Sequence, residues 1–319
     1  MSYGMKGFIG LGKETAWGSG VAVTDYFYAL NEDIKADLDR FDIRNIVDTV
    51  AEPDDDVGIL RVAGSFLAGG HPVSIGHFLK GIMQQASGSV VTSGSLWKTD
   101  FTTSLNDFDA ATTPVQPFTM EVARDTSSGS VQYTGCVFNT LEMAWAINQN
   151  VRCKVGVIGR DQNIIARTSA TFPGSPTKDF KFSTTSLSVG GAGTARIESL
   201  NMTINNNLEG VPALNNSTAI AKIRRRNTQM VTLGGTIDFV DFAEYSAFLA
   251  QTEQRWFWNT TAANSFSLLV DLPRVVYTAF PLSTPGRERL TVGFNAKAFY
   301  STGSATAAKI SLTTVKSNY

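Results

Sequence analysis

Hydrophobic and polar residues alternate with period two along most of the chain, the pattern of strands that bury one face. It is clearest in Phe118-Thr119-Met120-Glu121-Val122, Leu141-Glu142-Met143-Ala144-Trp145-Ala146-Ile147 and Val151-Arg152-Cys153-Lys154-Val155-Gly156-Val157. Asn148-Gln149-Asn150 separates the last two and is a short polar link of the kind that closes a hairpin, so residues 140–158 are predicted as one β-hairpin. Further strands are predicted at 197–205, 265–272, 275–280 and 290–300. Helical periodicity is scarce and stands out in two stretches. The first starts at Pro72 and sets Ile75, Phe78, Leu79, Ile82 and Met83 on one face. The second has Asp241 as cap, Glu244 as its capping-box partner and Val240 placed to staple Tyr245, and would bury Tyr245, Phe248 and Leu249.

These elements recur in the same order. Ile59 to Phe66 leads through a Gly-rich turn into the first helix, and Val231 to Phe239 leads into the second. Aromatic, β-rich sequence follows each helix down to a long hairpin. A weak repeat of this kind in an all-β chain suggests a modular part that assembles in rings, each copy burying its faces against neighbours. Two Pro and a Gly in Thr171 to Lys178 stop any regular element, and Gly190-Gly191-Ala192-Gly193 is a second interruption. The expected division is 1–172, an N-terminal arm plus a first domain, and 173–319, a second.

With 319 residues, 43% hydrophobic and 17% charged, the chain has the composition of an ordinary globular protein that can bury a full core. It contains no apolar run of bilayer-spanning length and opens without a secretory pattern, so it is expected to fold where it is made. Cys136 and Cys153 fall out of register across the predicted hairpin and read as core residues. The net charge of -1 gives no overall attraction to nucleic acid, but its distribution is uneven. Acidic residues gather between Glu32 and Asp56, and Lys222, Arg224, Arg225 and Arg226 form a basic run. Opposite patches suit self-association, and Asp54, Asp55 and Asp56 are expected to meet Arg224, Arg225 and Arg226 of a neighbouring subunit.

Motifs for chemistry are weak. Gly7 to Glu14 follows the phosphate-loop pattern until Glu14 replaces the hydroxyl that would hold magnesium, so a flexible Gly-rich arm is the better reading. Its Phe8 and Trp17 are candidate anchors for an adjacent ring. His71 and His77 are spaced too far apart to share a helical face as ligands. The Asp54–Asp56 run lacks the alternation of a calcium loop. Trp256-Phe257-Trp258 reads as core or interface rather than a sugar platform. No enzyme activity, metal or cofactor is expected.

The segments Gly12-Lys13-Glu14-Thr15-Ala16-Trp17-Gly18, Tyr133 to Met143, Ile197 to Asn206 and Arg287 to Phe294, in that order, resemble the tail tube proteins of long non-contractile-tailed bacteriophages. The resemblance implies a mainly β fold of duplicated tail-tube β-sandwich domains. Each would carry a flanking short helix and long hairpins that form a shared barrel on oligomerisation. It further implies stacked rings, three chains in pseudo-sixfold arrangement or six, in the virion tail after assembly in the host cytoplasm. The partners would be copies of the chain, a tape measure protein, tail-end proteins and double-stranded DNA in transit, bound without sequence preference, and no membrane. The hairpin residues Thr140, Glu142, Ala144, Ala146, Asn148, Gln149 and Asn150 are expected to line the channel with a neutral or acidic face, because inward cations would hold phosphates. A virion adhesin or carbohydrate-binding β-sandwich is the alternative.

Overall fold

The computed structural model describes residues 6–43, 54–85, 88–92, 96–103, 116–125, 129–173, 178–194, 196–282 and 289–319. Residues 1–5 of the expected arm, 174–177 of the expected boundary, and Arg287 and Glu288 of the closing segment lie outside them. The first half contributes β1 (Phe8–Lys13), β2 (Asp25–Phe27), β3 (Ala29–Glu32), β4 (Lys35–Asp42), β5 (Asp55–Gly69), α1 (Ile75–Ile82), β6 (Gln84–Gln85), β7 (Ser89–Thr92), β8 (Leu96–Thr102), β9 (Phe118–Ala123), β10 (Ser130–Ala146), β11 (Arg152–Gly159) and β12 (Asp161–Ile165). The second contributes β13 (Thr185–Val189), β14 (Ala192–Gly193), β15 (Ile197–Asn205), β16 (Leu208–Val211), β17 (Lys222–Arg225), β18 (Met230–Asp238), α2 (Ala243–Leu249), β19 (Gln254–Thr261), β20 (Ser267–Ala279), β21 (Thr291–Ala298) and β22 (Lys309–Thr314).

Every named strand pair is antiparallel. The largest sheet runs β4–β5–β11–β10–β15–β18–β21–β20, with β3 continuing β4 along the same side of β5. Two smaller sheets pack behind it, β2–β1–β9–β10–β12 and β13–β19–β20–β22–β8. The long strands β10 and β20 join the layers: their first parts pair in a small sheet and their last parts in the large one. Traced from partner to partner among the described residues, the strand ladder branches but never returns on itself, so the sandwich is open.

The repeat expected from sequence extends through the whole sheet. Its first half, β4–β5–β11–β10, has the order of its second, β15–β18–β21–β20, and the irregularities coincide. The register slips between Phe138 and Thr140 against β11, and between Tyr277 and Ala279 against β21. It slips between Tyr133 and Cys136 against β9, and between Leu272 and Val275 against β19. It slips again between Ala29 and Asn31 against β5, and between Ile197 and Ser199 against β18. Because each bulge re-aims the side chains beyond it, three shared bulges fix residue equivalences along the units. Thr140 corresponds to Ala279, Cys153 to Val292 and Phe66 to Gly235.

One continuous core runs through both halves, from Ile9, Phe66, Phe118 and Phe138 to Trp256, Trp258 and Phe294. Cys136 and Cys153 are free and fully buried. Helix α1 lies inside, with Ile75, Phe78, Leu79, Ile82 and Met83 buried, but starts after Pro72 rather than on it. Helix α2 departs further from expectation. Asp241 Oδ1 accepts the Ala243 N–H at 3.0 Å from one residue before the N-cap, which is Phe242 and makes no side-chain cap bond, while Glu244 pairs with Arg196. Val240 and Leu249 are 65% and 64% exposed, so neither the staple nor the Leu249 burial forms. The helix is two turns long, too short for its whole apolar stripe to reach the sheet.

The N-terminal segment is not a flexible arm from Phe8 onward. Strand β1 pairs with β9 along its full length and buries Phe8, Ile9 and Leu11. Glu14 is buried behind it: its carboxylate accepts the Gly18 and Gly135 N–H groups at 2.7 and 2.8 Å and the Thr119 hydroxyl at 2.8 Å. Those donors explain why a carboxylate stands where a phosphate loop needs a hydroxyl.

Candidate assembly surface

The face of the large sheet turned away from the core is polar and fine-grained. Leu141, Met143 and Trp145 point inward, so alternation sends Thr140, Glu142, Ala144 and Ala146 outward. Straight registers carry this face across the neighbouring strands. Glu142 lies opposite Lys154 and Thr203, Ala144 opposite Arg152 and Asn201, and the row continues through Thr232 and Gly234 to Lys297 and Asn295. Ser, Thr, Asn, Gly and Ala dominate it. This face of the hairpin is mixed in charge, since Arg152 and Lys154 are exposed on the same face as Glu142. A period of two in β11 makes this unavoidable once Cys153 and Val155 are buried. Asn148, Gln149 and Asn150 form the exposed turn, with Asn148 at φ 60° and the Gln149 N–H donating to Ala146 O.

Both ends of this sheet are open. Among the described residues no strand pairs with the outer side of β3–β4, or with the side of β20 beyond Val275. At one end β4 and β5 project as a hairpin past the last β11 pair, Gly159 with Val62, and expose Leu38, Phe41 and Val57. The corresponding connection in the second unit is the β16–β17 hairpin. It folds back over Val137 and Ile158 through Leu208, Ile220 and Ile223, and touches β5 where the Leu60 N–H donates to Thr218 O at 2.9 Å.

The charged candidates sit on these two hairpins, at one end of the molecule. Arg40 holds Asp55 in a bidentate pair, which lowers the Asp55 carboxyl, while Asp54 and Asp56 accept from the next N–H in the chain. Arg226 lies 3.8 Å from Glu209, and Arg224 and Arg225 stand in register with Glu209 and Leu208. The structure spends the two aromatic candidates inside the chain. Phe8 is 4% exposed, edge-on to Tyr26 and Phe172 under Arg167, and Trp17 Nε1 donates to Gly135 O at 2.8 Å beneath Arg160. Trp17 stays half-buried. Sequence reading missed Asn201, Thr203, Thr232, Asn295 and Lys297, although the alternation in β15, β18 and β21 carries them.

A cleft of about 580 Å³ opens beside the turn, lined by Tyr28, Leu30, His71, Asn148, Arg152 and Asp179 among others. Burial raises the Asp179 carboxyl, an effect His71 partly offsets. Among the described residues there is no group of three or more His, Cys, Asp or Glu that could hold a metal, and no helix long and apolar enough to cross a membrane.

Two copies of one sandwich unit, joined edge to edge with strand margins left open, define a structural β protein whose distinguishing features are its edges and faces. The family model of the phage tail tube protein matches residues 4–297, nearly the whole chain. The chain belongs to that family and is a structural component of the bacteriophage tail. No curated protein matches it.

Proposed function

We propose that three copies close into a ring, that rings stack into the tail tube, and that the polar sheet face lines a bore through which viral DNA passes. The observation that carries this reading is the large sheet itself: four strands repeated once, open at both margins. Open margins are an aggregation hazard in a monomer and are satisfied when identical copies complete the sheet. Three chains supply twenty-four strands. With strands about 4.8 Å apart and tilted about 40°, such a barrel is about 48 Å across its backbone, and side chains about 5 Å deep leave about 38 Å. That passes a DNA duplex with its water. Two chains leave about 22 Å, too tight for hydrated duplex, and six give a backbone diameter of about 96 Å, far wider than the cargo needs.

The lining suits transit. Small neutral side chains offer little adhesion, and Arg152, Lys154 and Lys297 are balanced in part by Glu142, so phosphates meet weak and scattered charge. The projecting hairpins, with Asp54, Asp55 and Asp56 on one and Arg224, Arg225 and Arg226 on the other, alternate around the rim where the next ring sits. The tape measure protein and tail-end proteins would meet the bore and the terminal rings. Electron microscopy of purified, concentrated protein tests the reading: striated hollow tubes with threefold rings are expected. Dispersed particles that bind glycans would replace it with an adhesin.

A further inference from the structure

We propose that one copy joins the next by repeating its own internal joint: the free side of β20 pairs antiparallel with β3–β4 of the next copy, Ala279 opposite Asp37 and Phe280 opposite Ala36. This rests on the ring reading and deepens it to the level of register.

Within one chain the two units meet where β10 pairs with β15, Thr140 opposite Asn205, Leu141 opposite Ile204 and Met143 opposite Met202. The shared bulges assign each of these residues a counterpart at the open margins. In β20 and beyond they are Ala279, Phe280 and Leu282; in β3–β4 and the link between them they are Asp37, Ala36 and Ile34. The counterparts keep the character of the originals on the core side. Phe280 is 3% exposed and would stand over the small Ala36, where Leu141 stands over Ile204. Leu282 is 39% exposed although its counterpart Met143 is fully buried, so among the described residues the second unit lacks a cover that the first has.

A second observation concerns the hairpins. At the internal joint the second unit's β16–β17 hairpin leans on Val137 and Ile158. The counterparts of those two are Val276 and Lys297, and the hairpin that would lean on them is β4–β5 of the next copy. Asp37, Asp39, Asp42, Asp54, Asp55 and Asp56 there outnumber Lys35, Arg40 and Arg61. Where the internal joint is apolar on apolar, the outer joint presents an acidic hairpin to a lysine. Charge complementarity and missing burial thus select the same occupant, a second copy of this chain.

Cysteine pairs test the register. Antiparallel partners have Cα atoms about 4.5–5.5 Å apart, within disulfide reach, whereas a shift of two residues separates them by about 8 Å. Cys136 and Cys153 are buried and leave the background silent. The variant Ala279→Cys with Asp37→Cys, assembled and then oxidised, is expected to give covalent dimers and trimers on non-reducing gels. Ala279→Cys with Lys35→Cys is expected to give none. Thr140→Cys with Asn205→Cys should bridge within one chain and shows that the template geometry is competent. Rings visible by microscopy that cross-link through position 35, or not at all while the internal pair bridges, would overturn this inference and leave the ring standing. Absence of rings from the unsubstituted protein would overturn the ring reading itself.

Discussion

Gly235→Ala offers a test of the packing logic that makes the two units equivalent but not identical. Gly235 lies between Leu200 on β15 and Phe294 on β21, and a Cβ there would stand 2.2 Å from the Ser199 carbonyl oxygen and 3.0 Å from the Phe294 ring. Its counterpart in the first unit is Phe66, which lies opposite Val155, the counterpart of Phe294. The large and small residues have changed places: the second unit empties the strand position so that Phe294 can reach Trp256 and Tyr277, with ring centroids 5.5 and 5.8 Å away. A ring can turn, but a paired backbone carbonyl cannot. The substitution should therefore cost about 3 kcal/mol, the upper end for overpacking a core.

The assay is the denaturant midpoint of the unassembled protein by circular dichroism, compared at constant m. Phe294→Val, which installs the first unit's residue, should cost about 2 kcal/mol alone through lost burial. Combined with Gly235→Ala it should recover about 1 kcal/mol relative to the sum, because it removes the ring contact and leaves the carbonyl contact. A Gly235→Ala protein within about 0.5 kcal/mol of the parent would refute the reasoning, since that is the scatter of neutral surface changes. Full restoration by Phe294→Val would refute the part assigned to the Ser199 carbonyl.

Glu14→Gln turns one acceptor oxygen into a donor facing Gly18, or facing Gly135 and Thr119, and should lower stability by about 2 kcal/mol. The denaturant midpoint checks it; an unchanged midpoint contradicts the network. Asp241→Ala removes the bond to the first helical N–H of α2 and its Arg196 pair and should cost about 1 kcal/mol, visible as faster amide exchange in the helix with little change elsewhere. Acid should destabilise the fold in two stages. Burial holds the His77 imidazole below its ordinary value even with Asp25 beside it. Burial raises the Asp25 carboxyl, but hydrogen bonds and charge from His77 and Lys316 outweigh that and hold it well below the carboxylate range. Both groups bind protons more readily unfolded, so their contribution is complete above the unfolded values, about 6.5 and 3.9, and is lost as pH falls. The midpoint should decline below about pH 6.5 and more steeply below about 4, and His77→Gln should flatten the first limb; a midpoint that rises on acidification contradicts this.

The strands were legible because a half-buried strand writes its geometry into alternate residues, as in 118–122, 140–158 and 197–205. Long-range decisions were not. Pro273 reads as a break between two strands, yet β20 passes through it, because the proline falls in the bulge between Leu272 and Val275, as Thr134 does in β10. Gly10 and Gly12 read as a loose arm, and pairing with the distant β9, with β2 on the other side, makes them strand. Periodicity showed which side of α2 is apolar but not that Leu249 stays exposed among the described residues. The extent of the repeat was hidden by exchanges such as Phe66 for Gly235, Val155 for Phe294 and Met120 for Trp256, which conserve volume across a pair rather than identity at a position.

On the proposed ring reading, the differences between the units follow from what each margin must do before assembly. The internal joint is tethered, so its two sides meet at high effective concentration and can be sealed by Leu208, Ile220 and Ile223 without risk. On the same reading, the outer margins belong to a copy that meets another only by diffusion. Lys297 in place of Ile158, and the six aspartates on the described part of the β4–β5 hairpin, keep those edges hydrated and still complementary to one another. A duplicated gene can specialise the two joints in this way, one for permanence and one for encounter. A single-unit chain must use the same joint for both, and this gives the duplication a physical advantage that does not depend on any new chemistry.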